Sequence, residues 1–427
     1  MIRRSLPLTL AAACYAGTDP NADDDGSSGA TATSAATTGA AAEDTTTGGA
    51  ADETTGAPEP EFIYTHDEAR VYLETLSPMV VGRLLSPEED NLIYHFGQDA
   101  IVPIVEAWVA EPAFADTARA MLQVKLSASG SKDGIDFELP GHLAAQLARA
   151  DRPYHELITS STCYDAGGAA IPCDTGAPYT AGVLTTRAYL IANASRFNLR
   201  RARRMMFNFA CEVYPMDTNL QPPVEKGDLI PMFQAMTKEE QTVPEAANGF
   251  GNGDACYKCH SQFSAHAQLF VRFDQDGLWR ADATGLQDPT NELGRSTGGL
   301  FASHFASPVA APLEISQMFG QPVDTLVDAA RVLADADGFD RCAARNVLEY
   351  SFGMTEADAK NIDRKLLDSV AKEAHARDLR LRPETHAGPT FGDLFVVALT
   401  HPRVIQVVLG PPTTLPADLP ELPGDMP

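Results

Sequence analysis

The residues of this chain best suited to chemistry form the pentapeptide Cys256-Tyr257-Lys258-Cys259-His260, which reads C-x-x-C-H. Two thiols at this spacing can add across the two vinyl groups of a haem, and the adjacent histidine then lies beneath the iron as an axial ligand. We therefore predict one covalently bound haem c, attached through Cys256 and Cys259, with His260 as the proximal iron ligand.

Two other kinds of site use cysteines at this spacing. A structural zinc site needs a fourth ligand, and the nearest candidate, His266, follows His260 by six residues, outside the usual range of three to five. A redox-active or structural Cys256–Cys259 pair normally opens a helix after a buried strand, and no such strand pattern precedes it. Haem attachment is therefore favoured, provided that the protein leaves the cytoplasm.

The N-terminus predicts export. Residues 1–13 read as a short signal peptide, with Arg3 and Arg4 ahead of an apolar stretch. Three alanines then precede Cys14, as in a bacterial lipobox, although Leu10 lies one position further from the cysteine than usual. We expect lipidation at Cys14 and an extracytoplasmic protein, either periplasmic or an outer-membrane or cell-surface lipoprotein. No later segment reaches the roughly 20 apolar residues of a membrane span, so the expected membrane tie is a lipid anchor.

The segment 14–60 is dominated by Thr, Gly, Ala, Ser, Asp and Glu. It has too little apolar surface to offset the entropy of ordering, so we predict a disordered tether, which either extends reach from the membrane or is an inert spacer. The formal net charge of the chain is −26. Without a basic stripe to neutralise phosphates, nucleic acid is not an expected partner. An acidic surface either steers an unidentified basic redox partner or, as is more common, keeps the protein soluble.

Helix signals dominate residues 61–410 and predict a mostly α protein, with multi-helical domains and a c-type cytochrome haem-binding segment. Thr65 with Glu68, and Ser86 with Glu89, form capping-box patterns. Apolar residues at helical spacing mark the other expected helices, at Ile101–Val109, Phe114–Val124, His142–Leu147, Leu184–Ile191, Leu326–Leu333, Ala343–Phe352, Ile362–Val370 and Leu394–Val397.

The cysteines outside the pentapeptide suggest further covalent links. Cys163 and Cys173 flank a short loop that contains glycine and proline, which predicts a local disulfide in an oxidising compartment. Cys211 and Cys342 either pair with each other or remain buried thiols, and the sequence leaves both possibilities open.

Around the haem motif, the order of features resembles the planctomycete-type cytochrome c proteins that are also abundant in myxobacteria. This family is assembled from several domains of unknown function. Its F-D-x-x-G-x-[WY]-R element matches Phe273–Arg280, its F-x-x-C-x-x-R helix resembles Phe339–Arg345, and its G-[VIL]-L-T opening is similar to Gly182–Thr185. The resemblance covers about 62–410. After C-x-x-C-H the family commonly has an acidic residue and Pro-x-Gly, whereas this chain reads Ser264–Ala267, so the turn there is altered.

We divide the chain into six segments. They are the signal peptide 1–13, the tether 14–60, a helical N-terminal domain 61–178, a cytochrome c-like haem-binding domain 179–353, a C-terminal helical segment 354–410 and a proline-rich tail 411–427.

The second axial ligand decides what the iron can do. A methionine sulfur opposite His260 would raise the reduction potential and close the site. Met318, 58 residues further on, has suitable spacing, and filling a gap in the core is its alternative role. Met232, Met236 and Met354 are weaker candidates, and His266 or His304 would instead give a bis-histidine site of lower potential.

Arginines and aromatic residues near the motif provide further candidates for the haem site. Because guanidinium matches carboxylate geometry, Arg280 could pair with a haem propionate, with a surface salt bridge as the alternative. Trp279 would pack against the porphyrin or the core. The basic cluster Arg200–Arg204 either docks an acidic partner or lipid head group, or forms a solvated, salt-bridged helix face.

One-electron transfer is the favoured function, and whether the protein also has a substrate of its own is left open. One alternative is a haem enzyme with an open iron site, peroxidase-like or substrate-oxidising. The other is a module that binds a glycan or protein and keeps its haem as a structural element. The long N-terminal part argues against a minimal carrier, which needs only about 100 residues.

Overall fold

The computed structural model describes residues 63–194, 198–229, 253–281, 305, 316–385 and 387–410. All of them belong to one of the two compact units of the chain, Phe62–Val243 with Gly251–Pro427, and the other unit lies outside the described residues. The signal peptide, lipidation at Cys14, the tether and the tail 411–427 also lie outside them. The same holds for Met232, Met236 and His304.

The described chain is mostly α-helical, as predicted. The helices are α1 (His66–Val80), α2 (Pro87–Phe96), α3 (Ile101–Ala110), α4 (Phe114–Leu126), α5 (Leu139–Arg149), α6 (Glu156–Thr159), α7 (Arg187–Ala192), α8 (Leu199–Phe209), α9 (Gly253–Gln268), α10 (Leu326–Ala334), α11 (Asp337–Ser351), α12 (Glu356–Ala359), α13 (Arg364–Leu381), α14 (Phe391–Thr400) and α15 (Pro402–Leu409).

Strands are confined to short antiparallel pairs in the described residues. These are β1 (Ser131–Lys132) with β2 (Ile135–Asp136), β3 (Cys163–Tyr164) with β4 (Ala170–Ile171), and β5 (Gln317–Met318) with β6 (Gln321–Pro322).

Both predicted capping boxes are confirmed. The Thr65 side chain accepts a hydrogen bond from the Glu68 amide while the Glu68 carboxylate accepts one from the Thr65 amide, and Ser86 with Glu89 repeats the arrangement. Each box satisfies two amides that the first turn of a helix leaves without intrahelical partners. Local capping-box hydrogen bonds therefore determine where the first two helices begin.

The helix expected over Leu184–Ile191 is interrupted in the structure. Gly182–Thr185 form a 3-10 turn, and Thr186 then caps α7 by accepting a hydrogen bond from the Tyr189 amide. Gly182 has a φ of +48°, and a Cβ there would lie 2.0 Å from the Leu157 carbonyl oxygen. This backbone approach requires glycine and a turn, so the helix begins only at Arg187.

One continuous apolar core links the two ends of the described chain, with members from Tyr64 to Ile405. α3 packs against α14, α4 against α5, and α11 against α13. The Tyr72 hydroxyl donates a 2.7 Å hydrogen bond to the Leu399 carbonyl, which ties α1 to α14 inside this core. The domain boundaries placed at 178/179 and 353/354 stay predictions.

Two disulfides add covalent links to this core. One joins Cys163 to Cys173, the pair predicted from the sequence. The other joins Cys211, just after α8, to Cys342 on α11, which decides between the two possibilities left open above. α8 is therefore anchored to α11 at its C-terminal end.

Among the described residues, no single helix is both long and apolar enough to cross a membrane. Phe391–Thr400 and Pro402–Leu409 meet the length and composition criteria only when taken together, across a bend of 55°.

Candidate functional site

The pentapeptide C-x-x-C-H lies within α9. Because successive residues of an α-helix are rotated by about 100°, Cys259 projects about 60° to one side of Cys256 and His260 about 40° to the other. The three side chains therefore leave the helix within roughly a third of its circumference. This is the face that simultaneous attachment and ligation of one haem require.

The motif side chains are withdrawn from solvent. Cys256 is 8% exposed and His260 is 4% exposed, while Cys259 is half-buried. Burial lowers the pKa of His260 to about 3, since a charged imidazolium is poorly solvated inside a protein. The imidazole is consequently neutral, which is the form that ligates metals. The Phe263 ring lies against it, with a centroid separation of 4.6 Å.

The helix that carries the motif is buried and polar at once. Six of the nine residues from His260 to Gln268 are polar, and each is at most 4% exposed. They are His260, Ser261, Gln262, Ser264, His266 and Gln268. Burying polar groups is costly unless each is partnered, so these side chains need hydrogen-bond partners inside the protein.

The segment that follows α8 binds along α9. The Gln262 side chain accepts a 2.7 Å hydrogen bond from the Met216 amide and donates a 2.9 Å bond to the Met216 carbonyl. The Val224 amide donates to the Ser261 carbonyl at 2.9 Å, and the Tyr257 hydroxyl donates to the Val224 carbonyl at 2.8 Å. The Gln262 side chain thus provides the hydrogen-bond partners of the Met216 backbone inside the core. No motif in the sequence predicts this role.

His266 contributes a second buried imidazole on the same helix. Its Nδ1 is hydrogen-bonded to the Tyr214 hydroxyl, whereas its Nε2 has no hydrogen-bond partner within the part of the chain that the structure describes. Six residues along α9 rotate its side chain about 240° away from that of His260. Two residues so close on one straight helix cannot reach opposite faces of one haem, which argues against bis-histidine ligation by this pair.

Met318 is fully buried in β5, which contacts α9. Gln317 donates a side-chain hydrogen bond to the Pro222 carbonyl, and the Phe319 amide donates to the Gln221 side chain, each at 2.8 Å. Met318 packs within the main apolar core, as expected for a methionine that fills a gap there. That Met318 is an axial ligand of the haem iron stays a prediction.

The F-D-x-x-G-x-W-R element folds into a closed turn directly after α9. The Asp274 carboxylate accepts hydrogen bonds from the Asp276 and Leu278 amides and pairs with the Arg280 guanidinium at 2.5 Å. The Trp279 amide donates to the Thr175 carbonyl at 2.9 Å, and the Trp279 side chain packs on the core. Arg280 therefore has an ion pair already, and contacts of Arg280 or Trp279 with haem stay predictions.

Arg201 is the residue that locks this turn to the rest of the fold. It is fully buried, and its guanidinium donates to the carbonyl oxygens of Leu190, Phe273 and Asp274 at 3.0, 2.8 and 2.6 Å. Burial lowers its pKa to about 9. The solvated face expected for the arginine cluster thus does not include Arg201. Its position within the cluster offered no signal that distinguished it.

The donor set fits haem c in type, in spacing, in helical face and in the neutral state of the imidazole. Neither Cys256 nor Cys259 takes part in a disulfide, while the four other cysteines of the described chain form two. In that part of the chain, no three His, Cys, Asp or Glu side chains are grouped so as to hold a metal ion, and a zinc site would need four such ligands.

Comparison with known proteins found no relative of this chain. No protein-family model matches the sequence, and neither a curated protein nor a solved structure matches the chain.

Proposed function

We propose that this protein is an extracytoplasmic monohaem c-type cytochrome that transfers single electrons. The observation that carries the proposal is the C-x-x-C-H motif on one face of a buried helix, with Cys256 and His260 shielded from water. A haem bound there would cycle between its ferrous and ferric forms. The resemblance to planctomycete-type cytochrome c proteins supports the same assignment, and we extend the proposal to membership of that family.

The residues of the chain have distinct roles in this proposal. Cys256 and Cys259 hold the haem through thioether bonds, which keep it in place in both oxidation states. His260 offers a neutral imidazole to the iron, and the Phe263 ring against it restricts its rotation. Low exposure around the motif limits the reorganisation of water that accompanies a change of charge.

Location outside the cytoplasm is the second part of the proposal. The Cys163–Cys173 and Cys211–Cys342 disulfides support an oxidising compartment, where haem c is also attached. Lipidation at Cys14 would hold the protein at a membrane, within reach of a redox partner.

Covalent attachment is tested by expressing the full chain with a c-haem maturation system and staining a denaturing gel for haem. We expect a haem-positive band for the wild type, and loss of that band in the Cys256→Ala/Cys259→Ala double variant. His266→Gln is the matched control, because it changes the same helix outside the motif. A wild-type protein that matures without covalent haem would overturn the proposal.

A further inference from the structure

A cavity lies on the side of α8 that faces away from the haem-motif helix. Ala202 of α8 packs against Phe263 and Ala267 of α9, whereas Arg204 and Phe207 project roughly 140–200° around α8 from Ala202. These two residues line a cavity of about 450 Å³, together with residues of α1, α4, α11 and α12. The cavity has the size of a small-molecule site and is separate from the C-x-x-C-H motif.

Cations gather around one aromatic ring of this cavity. Lys125 Nζ lies 4.8 Å from the centroid of Phe207, Lys360 Nζ lies 5.9 Å from it, and the guanidinium carbons of Arg204 and Arg345 lie 5.7 and 5.8 Å from it. All four are within the range of a cation–π contact. Such a concentration is unusual in a chain whose net charge is −26.

The local carboxylates do not balance these cations. Glu349 pairs with Lys125 at 2.9 Å, and Glu356 pairs with Lys360 at 2.9 Å. Within the described residues, no carboxylate lies within ion-pair distance of Arg204 or Arg345. Arg345 is 6% exposed, and its Nε and Nη2 have no hydrogen-bond partner there. Neither guanidinium therefore has an ion pair in this part of the chain; burial lowers the pKa of each, and the nearby Glu356 acts in the opposite direction.

The rest of the cavity wall includes the polar side chains of Ser127, Asn346, Glu349 and Glu356, and an apolar part. Met79, Met121, Tyr350 and Met354 form this apolar part beside Phe207. Thioether side chains are flexible and polarisable, and they pack well against aromatic and aliphatic ligands of varied shape. A small hydrated inorganic ion would leave this apolar surface uncovered.

We propose that the cavity binds a small organic carboxylate with an apolar body. The carboxylate engages Arg204, with Lys125 and Arg345 adding positive potential, because a planar guanidinium matches a carboxylate in a paired geometry. The apolar body packs on Phe207 and the methionines. This site does not depend on haem binding, and it gives the large N-terminal part of the chain a role beyond electron transfer.

Isothermal titration of the full-length protein with benzoate tests the proposal. Benzamide, the neutral analogue of nearly the same shape, and inorganic phosphate are titrated in parallel. We expect benzoate to bind at least about tenfold more tightly than either one, since a charge-assisted contact is worth more than a neutral one. Absence of benzoate binding, equal binding of benzamide, or tighter binding of phosphate would each overturn the proposal.

Two variants locate the binding to this cavity. Arg204→Gln is expected to weaken benzoate binding at least about tenfold. Arg200→Gln, an exposed arginine on the same helix, is expected to leave the Kd within about twofold. Met354→Trp fills the cavity without removing charge and is expected to block binding, which keeps the test valid if Arg204→Gln fails to fold. Unchanged affinity in a folded Arg204→Gln or Met354→Trp protein would place the ligand elsewhere.

Discussion

At the scale of single residues, the contact between Tyr214 and His266 can be tested by a single substitution. The hydroxyl of Tyr214 is the described partner of His266 Nδ1, and the imidazole is fully buried. Tyr214→Phe leaves both ring nitrogens without partners, so we expect the free energy of unfolding to fall by about 1–3 kcal/mol. Urea titration measures this, with Tyr94→Phe, at a site 72% exposed, as a control that should change little. Equal stabilities of the two variants would contradict this role.

The same imidazole makes stability depend on pH. Burial lowers the pKa of His266 to about 3 in the folded protein, against 6.5 in an unperturbed histidine. The unfolded state therefore binds more protons between these values, so the contribution of His266 to stability is complete above pH 6.5 and is lost as the pH falls towards 3. We expect His266→Gln to reduce the loss of unfolding free energy between pH 7 and pH 5. An unchanged slope in His266→Gln would contradict the burial argument.

Some residues of the site were accessible to sequence reasoning, and others were not. Cys256, Cys259 and His260 are recognisable because their chemistry depends on local spacing alone. Gln262 and Arg201 act by hydrogen bonds to the backbone of distant segments, at Met216 and Phe273. Such partners depend on tertiary approach, which spacing along the chain does not encode.

At the scale of elements, the turn after α9 depends on a glycine. Gly277 has a φ of +71°, and a Cβ there would lie 3.2 Å from both the Arg187 Cα and the Leu190 Cβ. Gly82 has a nearly identical φ of +68° but open space around it, so Gly82→Ala isolates the backbone cost, which is about 1–2 kcal/mol. We expect Gly277→Ala to be less stable by a further 1–3 kcal/mol or so, because of overpacking. Thermal or urea unfolding of both variants decides this, and equal losses would mean that α7 moves aside without cost.

Helices with local start signals were predictable, and the buried ones were less so. Capping boxes mark the starts of α1 and α2 because each box is complete within four residues. α9 is buried around most of its surface and rich in polar residues, so it lacks the amphipathic period by which a surface helix is recognised. The break at Thr186 has a similar origin, because it follows from the approach of Gly182 to Leu157.

At the scale of the whole molecule, the two disulfides close loops of very different length. Cys163 and Cys173 are 10 residues apart, whereas Cys211 and Cys342 are 131 residues apart. The pairing of the second two was undecidable from sequence, because it depends on the packing of α8 against α11.

Loop-closure entropy predicts unequal contributions from these disulfides. Removing the Cys211–Cys342 link should cost about 5 kcal/mol, and removing the Cys163–Cys173 link about 3 kcal/mol, because the longer loop restricts the unfolded chain more. Comparing the unfolding of the Cys211→Ala/Cys342→Ala and Cys163→Ala/Cys173→Ala proteins tests this order. A larger loss from the shorter loop would show that native packing, rather than chain entropy, dominates.

The optical spectrum of the matured protein, oxidised and reduced, with and without carbon monoxide, tests the central claim most directly. For a closed electron carrier, we predict a low-spin haem c spectrum that carbon monoxide leaves unchanged. A weak far-red band in the ferric form would indicate methionine ligation and make Met318 the first residue to replace. A high-spin ferric spectrum, with carbon monoxide binding after reduction, would contradict electron transfer as the main activity and favour an enzyme with an open iron site.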